Sequence, residues 1–211
     1  MTEHVNRDDV RGRLDRLRDD YGEMPVLEAD EKLSAEHFKQ YRADAVDGYT
    51  GGGYAWIRRP PGDAPPLAGS MTGVEPTGET QVLLVLERGT DEPTWEVAGG
   101  SREGAETYEA AVRREVREET GIDVAVERPY FVFYDRLHSE EDGVDVCLHT
   151  LWVCFDATYD GGAIAVQQGE LRGAAWFESP PTALGPWAQY RGVEWWDDYA
   201  LDEPWWDALA E

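Results

Sequence analysis

A chain of 211 residues that is 41 % hydrophobic, with nine Trp, ten Tyr and five Phe, can bury a sizeable core, which excludes collagen, a disulfide scaffold and full-length disorder. Its formal net charge of −25, with Lys32 and Lys39 as the only lysines, excludes a basic nucleic-acid groove and a polybasic membrane patch. No apolar run approaches the roughly 18 residues of a membrane span, and the opening MTEHVNRDDV lacks a basic start and an apolar stretch, so a cytoplasmic protein is expected.

From Asn6 to Tyr21, the residues Val10, Leu14, Leu17 and Tyr21 recur at helical spacing, with Gly22 and Pro25 as stop signals. A second helical pattern runs from Asp30 to Val46, with Leu33, His37, Phe38 and Tyr41 on one side. Residues 1–50 are therefore expected to form an N-terminal helical accessory segment. A main domain is expected over residues 51–180, starting with a short strand from Tyr54 to Arg58. Residues 60–80 hold five prolines and four glycines without periodicity and read as a long loop or insertion. Gln81 to Glu87, QVLLVLE, has the length and continuous apolarity of a buried central strand. A helix is expected from Thr107 to Thr120.

Beyond it, Val124 to Leu137 and Val144 to Asp156 are β-branched and aromatic runs separated by HSEEDG, the pattern of a hairpin. Leu171 to Glu178 reads as a last strand, and residues 181–211, with five tryptophans, as a C-terminal segment packing on the domain. This order predicts an α/β (α+β) sandwich around a mixed sheet. Cys147 and Cys154 lie on one expected strand, roughly 20 Å apart and on opposite faces, so they do not bridge each other. They read as small buried hydrophobes in a reducing compartment, without a redox or metal role.

The chemistry is concentrated in GSREGAETYEAAVRREVREETGI, Gly100 to Ile122. At 100° per residue and with Glu115 at zero, Tyr108, Ala111 and Val112 lie at about +20°, −40° and +60°, which defines a core-facing side. Glu118 and Glu119 fall on that same side at about −60° and +40°. A solvated, ion-paired face accounts for Arg113 and Arg117, which point away, but not for three glutamates where a structural helix would carry Leu or Val. Partly buried neighbouring carboxylates repel each other by a few kcal/mol per pair, to order of magnitude, unless they protonate or hold a cation. Clustered hard oxygens suit Mg²⁺ or Mn²⁺, ions that bridge to phosphate oxygens. Gly121 is placed as a left-handed helix stop.

Gly100, then five residues, Glu106, then seven residues, and Arg114-Glu115-Val116-Arg117-Glu118-Glu119-Thr120-Gly121-Ile122 resembles a complete Nudix box, without departures. WEVAGG, Trp95 to Gly100, resembles the segment that enters the box in this family. The resemblance implies an αβα sandwich in which Glu118 and Glu119 bind divalent metal and Glu115 binds metal or helps deprotonate the attacking water. It implies a structural ion pair between Glu106 and Arg114, and makes the Gly99 carbonyl a further metal ligand. Some members use a glutamate outside the box as a base or ligand, and Glu170 is the candidate for this here. Arg102 is a candidate phosphate contact. Trp95 and Tyr134, with Phe133 and the C-terminal tryptophans, are candidates for stacking a nucleobase, with core packing as the competing reading.

The expected function is Mg²⁺-dependent hydrolysis of a nucleoside diphosphate linked to a group X, giving a nucleoside monophosphate and phosphoryl-X. ADP-ribose-like compounds and nucleoside triphosphates are the candidate small-molecule substrates. WEVAGG lacks the proline often found where ADP-ribose enzymes enter the box. The alternative is a Nudix-fold module that senses a nucleotide without turnover, although such modules usually lose box glutamates. A homodimer is compatible with the sequence. The acidity resembles that of halophilic proteins, since at about 1 M salt the Debye length falls to roughly 3 Å and self-repulsion largely vanishes.

Overall fold

The computed structural model describes residues 2–63, 78–88, 92–141, 143–167, 169–197 and 199–209. Most of the Pro/Gly-rich stretch expected as a loop lies outside the described residues. The chain begins with a two-residue strand, β1 (Glu3–His4), and then the first expected helix, α1 (Arg7–Tyr21), which buries Val10, Leu14 and Leu17. The second helical expectation needs correction at its start. Val26–Leu33 form a strand, β2, and only Ala35–Asp47 form the helix α2. Ser34 marks the switch, because its hydroxyl accepts the His37 N–H at 3.4 Å and caps the helix.

The central strands are β3 (Gly52–Arg59) and β4 (Gln81–Glu87), followed by the short β5 (Trp95–Glu96) and β6 (Ala98–Ser101). Helix α3 (Tyr108–Thr120) leads into β7 (Ile122–Ser139), which pairs antiparallel with β8 (Val146–Gly162) as the expected hairpin. β9 (Leu171–Phe177) and helix α4 (Pro186–Trp195) complete the fold. The sheet order is β2-β7-β8-β3-β4-β5, with β1 on β8, β6 on β3 and β9 on β4. β3 runs parallel to β8 and antiparallel to β4 and β6, so the sheet is mixed.

Strand alternation divides the core into two layers. On one face Ile57, Leu83 and Phe155 meet α1 and α3 through Leu14, Leu17, Tyr108, Val112 and Val116. On the other, Trp56, Leu84 and Phe131 meet Ala188 of α4 and the tail residue Trp196. The tail tryptophans are packing residues: Trp196 stands edge-on to Trp56 at 5.2 Å, Trp187 stacks on Tyr54 at 5.5 Å, and Trp205 meets Trp187 at 5.6 Å. No helix among the described residues is long and apolar enough to cross a membrane.

Two ion-pair clusters attach the N-terminal segment. Arg136 of β7 donates to both oxygens of Asp30, at 2.9 and 2.6 Å, and to Glu28 at 2.5 Å, which secures β2 at the sheet edge. The Arg136 hydrogen bonds hold the Asp30 carboxyl down at about 2. Glu109, buried on α3, accepts Arg16 at 2.8 and 3.1 Å and the Tyr21 hydroxyl at 3.1 Å. Burial pulls the Glu109 carboxyl upward, but the Arg16 bonds prevail and its pKa ends below the ordinary value. Arg16→Ala therefore leaves a buried carboxylate with one donor fewer on each oxygen and is expected to cost about 1–3 kcal/mol by denaturant unfolding in molar KCl. An unchanged midpoint would show that α1 docks through its apolar face alone.

Two further buried carboxyls have no cationic partner among the described residues. Glu96 caps α4 by accepting the Trp187 and Ala188 N–H groups at 3.3 and 2.9 Å, and burial still raises it to about 7. Among the described residues Asp135 accepts only the Thr150 hydroxyl, at 3.4 Å, and burial raises it to about 7. Between the unfolded values near 4 and these folded values the native state holds more protons than the unfolded chain. Stability is therefore expected to fall as pH rises from about 4.5 to about 7, by up to roughly 3 kcal/mol per group. Unfolding midpoints measured from pH 4.5 to 8 in molar KCl, where surface repulsion is screened, test this. The slope should shrink in Glu96→Gln and in Asp135→Asn.

Candidate active site at the end of helix α3

Helix α3 is closed at both ends by its own sequence. The Thr107 side chain accepts the Ala110 N–H at 3.2 Å, and Gly121 takes φ 74° and donates to the Arg117 carbonyl at 2.9 Å. Tyr108, Ala111, Val112 and Val116 are buried. Burial of Val116, about 100° from Glu115, rotates the core side toward Glu119 and away from Glu118. Glu115 and Glu119 are thus half-buried, while the Glu118 side chain, 56 % exposed, stands at the rim.

β6 brings two glycines against these acids. The Gly99 N–H donates to Glu119 Oε2 at 3.2 Å, so Gly99 and Glu119 are neighbours. A Cβ on Gly100 would lie 2.6 Å from Glu115 Cδ, so the Glu115 carboxylate rests directly on the backbone there. Arg114 organises the rest. It donates to both Glu106 oxygens at 3.0 Å, to the Ser101 carbonyl at 2.8 Å, to Glu115 at 2.8 Å and to Glu118 at 3.2 Å. Glu106 in turn accepts the Glu103 N–H at 3.0 Å, which closes the loop before α3. The structure thus brings Glu106, Arg114, Glu115 and Glu118 into one network.

Two acids from elsewhere in the chain join the cluster. A cleft of about 420 Å³ is lined by Glu87, Arg88, Glu119, Gly169, Glu170 and Leu171. Glu170 sits in the loop before β9, and Glu87 ends β4; the Arg88 N–H donates to the Glu170 carbonyl at 3.0 Å and fixes one against the other. Sequence reasoning missed Glu87, whose only local signal is its place at the end of QVLLVLE. Burial raises Glu119 to about 8; its Gly99 bond opposes this, and Glu115, Glu170 and Glu87 push it further up. Glu115 is also raised, by burial foremost, with Arg114 opposing and Glu118 and Glu170 adding to it. Among the described residues, the half-buried Glu119 accepts one N–H donor, and with half-buried Glu115 beside it and exposed Glu87, Glu118 and Glu170 around the rim the group fits a hard divalent cation.

The other sequence candidates lie in different settings. Arg102 is not positioned as a phosphate contact: it is 2 % exposed and donates to the Gly48, Gly104 and Glu106 carbonyls, the last at 2.9 Å. A lone arginine in a loop carries no local sign of how many carbonyls the fold will turn toward it. Trp95 packs edge-on to Phe177 at 4.8 Å. Tyr134 is buried on the α1 face, its hydroxyl 2.6 Å from His149 Nδ1, and neither ring lines the acidic cleft.

The Nudix domain family model matches residues 70–193, more than half of the chain. A curated relative, nucleoside triphosphatase NudI of Enterobacter sp. (strain 638), is 29 % identical over 96 residues, which cover 44 % of this chain and 67 % of the relative. Among solved structures, the MutT Nudix hydrolase from Burkholderia pseudomallei is 20 % identical with a TM-score of 0.40, covering 66 % of this chain and 96 % of that one. A Nudix-family hydrolase from Clostridium perfringens is 14 % identical with a TM-score of 0.43, covering 68 % of this chain and 94 % of that one. With its box unbroken from Gly100 to Ile122 and its family match spanning that box, the chain belongs to the Nudix family.

Proposed function

We propose that this protein hydrolyses the pyrophosphate bond of a nucleoside diphosphate linked to X, in a reaction that depends on Mg²⁺ or Mn²⁺ and yields a nucleoside monophosphate and phosphoryl-X. The observation that carries the reading is geometric: Glu119, held by the Gly99 N–H at 3.2 Å, lines one cleft with Glu87 and Glu170, while the Glu115 carboxylate rests against Gly100 of the same strand. Glu115, Glu118 and Glu119 would hold the cation, with the Gly99 carbonyl and Glu170 as further oxygen donors. The bound cation would neutralise the pyrophosphate and lower the pKa of an attacking water.

The chain's own residues supply position and proton handling. Arg114 orients Glu115 and Glu118 from one side while anchoring the loop through Glu106 and Ser101. Gly99 holds Glu119 from the other. Glu170, on the cleft wall with Glu87, is the candidate acid outside the box to accept a proton from water. Substrates of the relative described as a nucleoside triphosphatase support testing nucleoside triphosphates beside ADP-ribose-like compounds. The free thiols of Cys147 and Cys154 support a reducing, cytoplasmic setting.

A panel of nucleoside triphosphates and nucleoside diphosphate conjugates, assayed in molar KCl with Mg²⁺, with Mn²⁺ and with chelator, tests the proposal. Turnover of at least one class is expected, abolished by chelator. Tight nucleotide binding with no turnover of any compound would overturn it in favour of a sensor. The charge of −25 supports a high-salt setting, and full stability and activity in dilute buffer would refute that part.

A further inference from the structure

Far from the α3 glutamates, the N-terminal strand meets the sheet in an arrangement that none of the chemistry above uses. β1 pairs parallel with β8 in a register that sets His4 beside Cys147. Cys147 and His149, two positions apart on β8, project to the same face. Three ligand atoms converge there. His4 Nδ1 lies 2.9 Å from His149 Nε2, Cys147 Sγ lies 3.6 Å from the same nitrogen, and all three lie within 4.8 Å of one another. Tetrahedral zinc, with Zn–N about 2.0 Å and Zn–S about 2.3 Å, sets its ligands about 3.3 Å apart for N···N and about 3.6 Å for N···S. The sulfur spacing matches this, and His4, which is exposed, has freedom to adjust.

The surroundings hold the buried pair in place. His149 is 2 % exposed and Cys147 fully buried. The Tyr134 hydroxyl, 2.6 Å from His149 Nδ1, occupies that ring nitrogen and leaves Nε2 turned to the other two ligands. Asn6 pins the backbone of His149 on both sides, accepting its N–H and donating to its carbonyl at 2.8 Å each. We propose that His4, Cys147 and His149 form a zinc site that clips the N-terminal segment to β8. Thiolate and imidazole donors suit zinc, whereas the all-oxygen cleft at α3 suits magnesium, so the two sites select different ions.

Binding converts the Cys147 thiol to a thiolate and releases its proton to solvent. A cavity of about 520 Å³, lined by His4 and His149 together with Arg7, Arg11 and Arg136, adjoins the site and offers room for a fourth ligand. Those arginines oppose an uncompensated dication. The thiolate removes one charge, and a solvent hydroxide or another anion at the fourth position removes the second.

Cobalt titration of chelator-treated, reduced protein in molar KCl reads the site directly. In wild type a sulfur-to-cobalt charge-transfer band is expected to saturate at one Co²⁺ per chain, separately from any Co²⁺ held by the all-oxygen α3 cleft, and Glu119→Gln is expected to keep that band. Cys147→Ser should lose it, and His4→Ala should bind at least about tenfold more weakly. His4 is exposed, so its variant decides the matter even if Cys147→Ser fails to fold. Absence of the band in wild type, its survival in Cys147→Ser, or wild-type affinity in His4→Ala would overturn the assignment.

Discussion

Glu119→Gln is expected to lower kcat by about 10³-fold in Mg²⁺ and, without metal, to raise stability by about 1–3 kcal/mol at pH 7 to 8. The two effects have opposite signs because they share one cause. Glu119 is a half-buried carboxylate whose neighbours Glu115, Glu170 and Glu87 are also acidic, so its charge is unfavourable in the folded chain until a cation arrives. Gln retains an oxygen that can accept the Gly99 N–H bond, seen at 3.2 Å for the acid, so the loss is of charge rather than of shape. Glu118→Gln should lower kcat comparably while changing stability by less than about 0.5 kcal/mol, since its side chain is 56 % exposed. Activity assays paired with unfolding midpoints separate these outcomes from misfolding. Wild-type turnover in either variant would remove the metal role assigned to that residue.

Gly99→Ala is expected to be the most destabilising single substitution at the site, costing about 3 kcal/mol or more and abolishing turnover. Gly99 has φ +151°, and a Cβ there would stand 2.1 Å from the Gly53 carbonyl oxygen and 2.6 Å from Tyr54 Cα. Both are backbone atoms of β3, so relief requires moving a central strand. Gly100→Ala makes an instructive contrast, because its clash at 2.6 Å is with the Glu115 carboxyl, the end of a flexible side chain. It should cost less stability than Gly99→Ala yet still depress kcat by displacing Glu115. Chemical denaturation alongside kcat at saturating Mg²⁺ reads both, and equal stability of the two variants would contradict the backbone account.

Within the region from Gly100 to Ile122 the sequence alone was enough to define the element, because 3.6-residue periodicity and end caps act over a few residues. The acidic stripe on α3, its Thr107 and Gly121 ends, and the central strand QVLLVLE were legible in that way. Even there, packing adjusted the reading: burial of Val116 turned Glu118 outward and Glu119 inward. The second expected helix failed over Asp30–Leu33 because these residues belong to β2, an edge strand polar at four of its eight positions that is stabilised by pairing with β7 and by Arg136. Neither partner is visible from local spacing.

The sequence by itself determined the family, the carboxylate set on one helix and the charge of −25, all properties of residue order over short range or of composition. Tertiary structure alone decided that Glu87 and Glu170 face Glu119, that Arg102 is spent on backbone carbonyls, and that His4 meets Cys147 and His149. Apart from the local Arg102 bonds to Gly104 and Glu106, those encounters join residues far apart in the chain, 143 positions apart for His4 and Cys147. Strand register, set by the pairing of the whole sheet, decides the meeting of His4 with Cys147.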